Sequence, residues 1–202
     1  MNVQPSSLEW KDAYKLLVGS ILPRPIALVS SLNNEGIANI APFSFFTAIS
    51  ADPMLVCFSP MRRGSDGSKK DTLLNIESTR EFVINIVSEE IVDKMNITAT
   101  EFPMQVDEFT EAGFTKVSSQ AISSPRIKES HVQLECTLHQ VLHFGEEPGS
   151  GSLVIGKVEM IHVADDLYFD GKINMEKLNP VGRMAGSMYT RATTDMFELL
   201  RK

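Results

Sequence analysis

The chain has 202 residues, 43% of them hydrophobic, and a formal net charge of −7. That length supports one sizeable core with peripheral helices, so a single domain over residues 1–202 is expected. The acidic balance, with Lys and Arg scattered along the chain, speaks against a nucleic-acid surface or a polybasic membrane patch.

The N-terminal stretch Met1 to Lys15 has no apolar segment behind a basic start, and nowhere do about 18 apolar residues run together. A cytoplasmic protein without a membrane span is expected. Leu8, Tyr14, Leu16 and Leu17 predict a short helix over about 8–18, ended by Pro23 and Pro25. The run from Pro25 to Leu32 reads as a strand, and Asn33 to Gly36 supply the turn before a second run from Ile37 to Ile49. Met54 to Phe58, Phe82 to Val87, Val132 to Phe144 and Leu153 to Val163 are further strands. Two helices interrupt them: one begins near Lys69, with Ser68 and Asp71 at capping-box spacing, and one covers Ser88 to Met95. Met61 to Ser68 and Phe144 to Ser152 read as exposed loops. Short strands joined by hairpin turns point to a closed or partly closed antiparallel sheet, since a barrel removes exposed edges. The class is mainly β with peripheral helices.

Cys57 and Cys136 sit far apart in apolar runs and read as buried, reduced thiols. His139 and His143 fall on one strand about 13 Å apart, at roughly 3.3 Å per residue, too far for one metal ion. No metal site is expected. No GxSxG, HExxH, P-loop or GxGxxG pattern is present, which removes the usual footholds for acyl transfer and nucleotide hydrolysis.

The most unusual segment is Ala38 to Thr47, where Pro42 interrupts an otherwise long strand. Proline in a strand marks an edge or a bulge and leaves neighbouring backbone groups to find other partners. A flat heterocycle with acceptors and a donor along one edge, such as the isoalloxazine of a flavin, matches Asn39, Ser44 and freed amides. The same residues also fit a bulged strand with ordinary core aromatics at Phe43, Phe45 and Phe46. A second constellation, Ser68 to Thr72, joins a helix start to Lys69, Lys70 and the Thr72 hydroxyl, a set suited to a phosphate, with Arg62 and Arg63 able to assist. Asp71 repels an anion there unless it turns away or caps the helix, and an exposed, capped helix start accounts for the same residues.

Taken in order, RPIALVSS from Arg24, NIAPFSFF from Asn39, KDTLLNI from Lys70, EFVINIV from Glu81, VDEF from Val106, LEC from Leu134, LVIGKV from Leu153 and GRMAGSMY from Gly182 give the chain a resemblance to the flavin reductase-like family. The resemblance runs from about Tyr14 to the C-terminus. It implies a split β-barrel of the FMN-binding type that pairs as a homodimer. By that resemblance Asn39, Ala41, Pro42 and Ser44 contact the flavin ring, and Ser59, Lys70 and Thr72, with Arg24 as a further candidate, hold the ribityl phosphate. FMN is the expected cofactor, with FAD an alternative, and NADH or NADPH the co-substrate. A monooxygenase or electron-transfer partner is implied for the electrons. Arg183 and Tyr189 fall in the C-terminal stretch with no role assigned, and no acid or base residue is nominated. A flavoredoxin-like electron carrier without its own nicotinamide site is the alternative reading.

Overall fold

The computed structural model describes residues 2–200. After a 3-10 turn at Pro5–Ser7, α1 covers Trp10–Ser20, and the chain enters β1 (Ala27–Leu32), β2 (Ala38–Phe43), β3 (Phe46–Ala51) and β4 (Met54–Phe58). Helix α2 (Asp71–Thr79) leads to β5 (Glu81–Ile86); a 3-10 turn at Glu89–Ile91 runs into α3 (Val92–Ile97), followed by α4 (Glu108–Ala112). A small hairpin of β6 (Lys116–Val117) and β7 (Arg126–Ile127) precedes the long strands β8 (Val132–His143) and β9 (Ser152–Val163). Two further small hairpins, β10 (Tyr168–Phe169) with β11 (Lys172–Ile173) and β12 (Val181–Arg183) with β13 (Tyr189–Arg191), flank α5 (Met175–Leu178).

One antiparallel sheet in the order β2-β1-β5-β8-β9-β4-β3 carries the fold. Strands β2 and β3 are consecutive in the chain yet occupy opposite edges of that sheet, joined only by Ser44 and Phe45. The sheet therefore curls until its two edges meet at this link; the Ser59 amide, which donates to the Phe45 carbonyl at 2.8 Å, extends the β3–β4 ladder into it. The result is the expected split barrel, mostly β, with its edges adjacent but not laddered.

The run read as one strand from Ile37 to Ile49 is thus two, and Pro42 lies on the first. Ile40 donates its amide away from β1, to Glu108 at 2.7 Å, so alternate residues of β2 face outward and Pro42, two residues on, falls at an outward position. The ring removes no ladder bond there.

Strand β1 is buried on both faces, which explains its unbroken apolar run. Ala27 and Val29 join the interior cluster with Phe58, Phe82, Ile84 and Val154, while Ile26 and Leu28 join an outer cluster with Ile40, Met95, Phe109 and Ile127. Helix α2 feeds Leu73 and Ile76 into the interior and pins the β1–β2 hairpin through Asn75 to Ser31 and Ser78 to Asn34. Gly156 on β9 sits where a Cβ would come within 2.4 Å of the Phe82 ring, so the barrel wall leaves no room for a side chain there.

The helix expected near Lys69 begins at Asp71, with Lys70 as an uncapped N-cap residue. Ser68 does not cap it; its hydroxyl donates to Asp66. The helix expected from Ser88 to Met95 is divided between the 3-10 turn and α3, and Ser88 makes no capping bond. Both cysteines are buried and unbridged, and burial pushes both thiols up.

Candidate functional site

Where the barrel edges meet, three clefts open around one residue. Pro42 lines all of them: one of ≈ 130 Å³ with Asn39, Ala41, Lys70 and Thr72, one of ≈ 150 Å³ with Ser44, Ser59 and Lys70, and one of ≈ 210 Å³ with Ser44, Arg183 and Tyr189. A larger cleft of ≈ 440 Å³ continues past Asn96, Arg183 and Tyr189 toward Ser187 and Arg191. Seven of the eight residues singled out from the sequence therefore border this groove, although they come from three separate parts of the chain.

One end of the groove is built to take an anion. The first amides of α2, Asp71 and Thr72, have no intrahelical acceptor, and Lys70 beside them enters no ion pair among the described residues. Asp71 is turned toward Arg63 at 2.9 Å, which lessens the repulsion it would exert on an anion. The neighbouring cations are engaged elsewhere: Lys69 pairs with Glu77 at 2.7 Å, and Arg62 holds the carbonyls of Gly67 and Gly145. The Thr72 hydroxyl donates to Asn39 Oδ1 at 2.7 Å, so the two residues form one polar pair on the groove wall.

Arg24 is not brought into the groove. It is 4% exposed, and its guanidinium donates to the carbonyls of Val18, Ile21 and Met184 and to the Ser44 hydroxyl. Its backbone also bridges Arg183 in both directions. Arg24 therefore clasps the end of α1, the start of β1 and the C-terminal hairpin, and orients Ser44 from behind. Four of its five N–H donors are thereby spent on protein acceptors.

The middle of the groove is formed by Pro42 with Phe43, Ser44 and Phe45. Pro42 and Ala41 present small surfaces, and the Ser44 amide has no hydrogen-bond partner among the described residues. Tyr14 and Phe45, with rings 6.2 Å apart, wall the side nearest α1. Beyond Pro42 the Arg183 guanidinium lies over the Tyr189 ring at 4.4 Å and, like Lys70, enters no ion pair among the described residues.

Sequence reading missed Glu108. It is 6% exposed, lines the Lys70–Thr72 cleft, and accepts from the Ile40 amide at 2.7 Å. Burial pushes its carboxyl up to about 7, against the lowering effect of the Ile40 amide and the Asn39 side chain. The only signal for it was its place in the VDEF stretch. His143, read with His139 as one of two strand histidines too far apart to share a metal ion, lies 3.1 Å from Glu77 and 2.9 Å from Ser152.

Comparison with known proteins bears on this groove. The family model described as a flavin reductase like domain matches residues 18–176. The solved structure of nitrilotriacetate monooxygenase component B from Bacillus cereus is 39% identical, with a TM-score of 0.93 and 98% of each chain covered. That of 2-nitrobenzoate 2-nitroreductase from Pseudomonas fluorescens is 33% identical, with a TM-score of 0.88, covering 100% of this chain and 96% of the other. Flavoredoxin of Desulfovibrio vulgaris (Miyazaki F), 20% identical over 90% of this chain and 91% of its own with a TM-score of 0.72, shares the fold.

Proposed function

We propose, from the premise that this chain belongs to the flavin reductase-like family, that it binds FMN in the groove around Pro42 and passes electrons from NADH or NADPH to free flavin or another small acceptor. One observation carries the reading: a lysine unpaired among the described residues and free helix amides at one end of a groove that continues past Pro42 and the unpartnered Ser44 amide to Arg183 and Tyr189. These residues fit a phosphate joined to a planar ring.

In this reading Lys70 and the Asp71 and Thr72 amides hold the phosphate, with Ser59 beside them. Pro42 and Ala41 support the ring, and Asn39 fixes Thr72 from behind. The Ser44 amide, whose side chain Arg24 holds in place, faces the polar edge of the ring and stabilises negative charge that develops there. FMN, when bound, supplies the hydride acceptor and the onward electron donor. Arg183 and Tyr189 border the space left for a nicotinamide to stack against the ring. No side chain is assigned as acid or base. FAD would need room beyond the Lys70 end, where Arg63, Glu101 and Phe102 line the cleft, and FMN is preferred for that reason.

The reading includes a cytoplasmic homodimer that delivers electrons to a partner such as a monooxygenase. Exposed Leu16, Leu17 and Ile21 on α1 with Ile49 and Met54 on the β3–β4 hairpin are apolar surface that pairing would cover. Sedimentation equilibrium should give twice the 22.4 kDa chain mass, and a monomer would remove the dimer. No helix among the described residues is long and apolar enough to cross a membrane.

Anaerobic stopped-flow mixing of the FMN-loaded protein with NADH or NADPH tests the activity. Rapid bleaching of the flavin by either nucleotide is expected. Bleaching by dithionite alone would reject the reductase in favour of an electron carrier without a nicotinamide site.

A further inference from the structure

Glu108 has no place in the reading above, yet it is buried and lines the same cleft as Lys70 and Thr72. Its carboxylate takes the outward amide of Ile40 on the edge strand, and it lines one cleft with the adjoining Asn39, whose Oδ1 receives the Thr72 hydroxyl. Glu108, Asn39 and Thr72 thus share the cleft at the first turn of α2. We propose that Glu108 is a positioning residue that sets the Asn39–Thr72 pair for a phosphate-bearing ligand and takes up a proton from solvent when that phosphate arrives. The inference rests on the FMN reading for the identity of the ligand.

The physical argument is charge crowding in a buried place. Around Glu108, α2 contributes Lys70 and Asp71, the loop before α2 contributes Arg63, and the segment before α4 contributes Glu101 and Asp107. Arg63 is engaged by Asp71 and lies 3.6 Å from Glu101, and Asp107 is paired with Lys116. From α3, Lys94 reaches the Gly113 carbonyl and Glu129, while Asp93 lines the far cleft; β2 offers only the neutral Asn39 and the Ile40 amide. On α4 itself Glu111 is exposed. Among the described residues Lys70 is thus the one unpaired cation that lines the cleft with Glu108 and borders the phosphate position. A phosphate dianion arriving beside Lys70 competes for it and adds negative charge near a carboxyl already penalised by burial, which favours the protonated acid. As a protonated acid Glu108 has a hydrogen to donate and can still accept from Ile40.

The sign follows from linkage. In the free protein the Glu108 carboxyl titrates at about 7, and bound phosphate raises it further. Between those two values the complex holds more protons than its parts, so affinity falls as pH rises above about 7, by up to about tenfold per pH unit. The phosphate's own second ionisation, at about pH 6, acts on the other side of neutrality and does not produce this limb.

Isothermal calorimetry of FMN and of riboflavin binding, between pH 6.5 and 9 and in buffers of different ionisation enthalpy, tests the proposal on the wild type and on Glu108→Gln. For the wild type near pH 7.5, uptake of roughly half a proton per FMN is expected, with the Kd rising toward alkaline pH. Riboflavin, which lacks the phosphate, should show neither effect. Glu108→Gln keeps an acceptor for the Ile40 amide and should bind FMN with no proton uptake and a flat alkaline limb. A wild type without the limb, a limb that persists in Glu108→Gln, or an equal limb for riboflavin would overturn the role of Glu108 while leaving FMN binding intact. Absence of FMN binding at every pH would instead overturn the flavin reading, and this inference with it.

Discussion

Replacing Lys70 by alanine should weaken FMN binding by about 10- to 100-fold while leaving riboflavin affinity within about twofold. The magnitude is that of one hydrogen bond to a charged group, about 1.5–3 kcal/mol. The specificity comes from position: Lys70 borders both the Asn39–Thr72 cleft and the Ser44–Ser59 cleft, but the cleft that joins Pro42 to Ser44, Arg183 and Tyr189 does not include it. Because Lys70 caps α2 through its backbone alone and enters no ion pair among the described residues, its side chain contributes little to folding. Fluorescence titration with both flavins reads the difference. Equal loss for FMN and riboflavin would mean that Lys70 acts on the ring or on the fold and not on the phosphate.

Arg24→Ala is expected to lower folding stability by about 2–4 kcal/mol, because removing the guanidinium strands the carbonyls of Val18, Ile21 and Met184, each at a cost of about 1–3 kcal/mol where it stays dry. Arg24→Lys should recover little of this, since one ammonium cannot reach acceptors on three segments in the planar geometry of the fork. Urea unfolding measures the loss. The same variants distinguish the clasp from the phosphate-binding role that the family resemblance implied for Arg24. An unchanged unfolding midpoint together with a large loss of FMN affinity would restore that role.

How far the sequence carried the fold depends on how local each cause was. Strands β4, β5, β8 and β9 announced themselves as apolar, β-branched runs, and β1 did so because both its faces are buried. The two-residue hairpins and α4, five residues long, are too short to show a period. The jump at Ser44 and Phe45 is legible only as a proline in an apolar run; that its flanking strands go to opposite edges of one sheet is a property of the closed barrel.

The site divides in the same way. Asn39, Pro42, Ser44, Lys70 and Thr72 carried local chemistry, and the groove collects them. Lys69 and Lys70 are indistinguishable in sequence, and only the partner at Glu77, a turn and a half along α2, separates them. Arg24 drew attention as a cation, but its acceptors are carbonyls, which no sequence pattern displays. Glu108 escaped because a glutamate among Asp107, Thr110 and Glu111 reads as solvated, whereas the edge of β2 draws it inward to an unpaired amide.

The most direct test of the central claim is the visible absorption spectrum of the freshly purified protein, with any released chromophore identified after denaturation. The account predicts a yellow protein, or one that turns yellow on addition of FMN, releasing FMN in a one-to-one ratio to the chain. A colourless protein that takes up neither FMN nor FAD would contradict it.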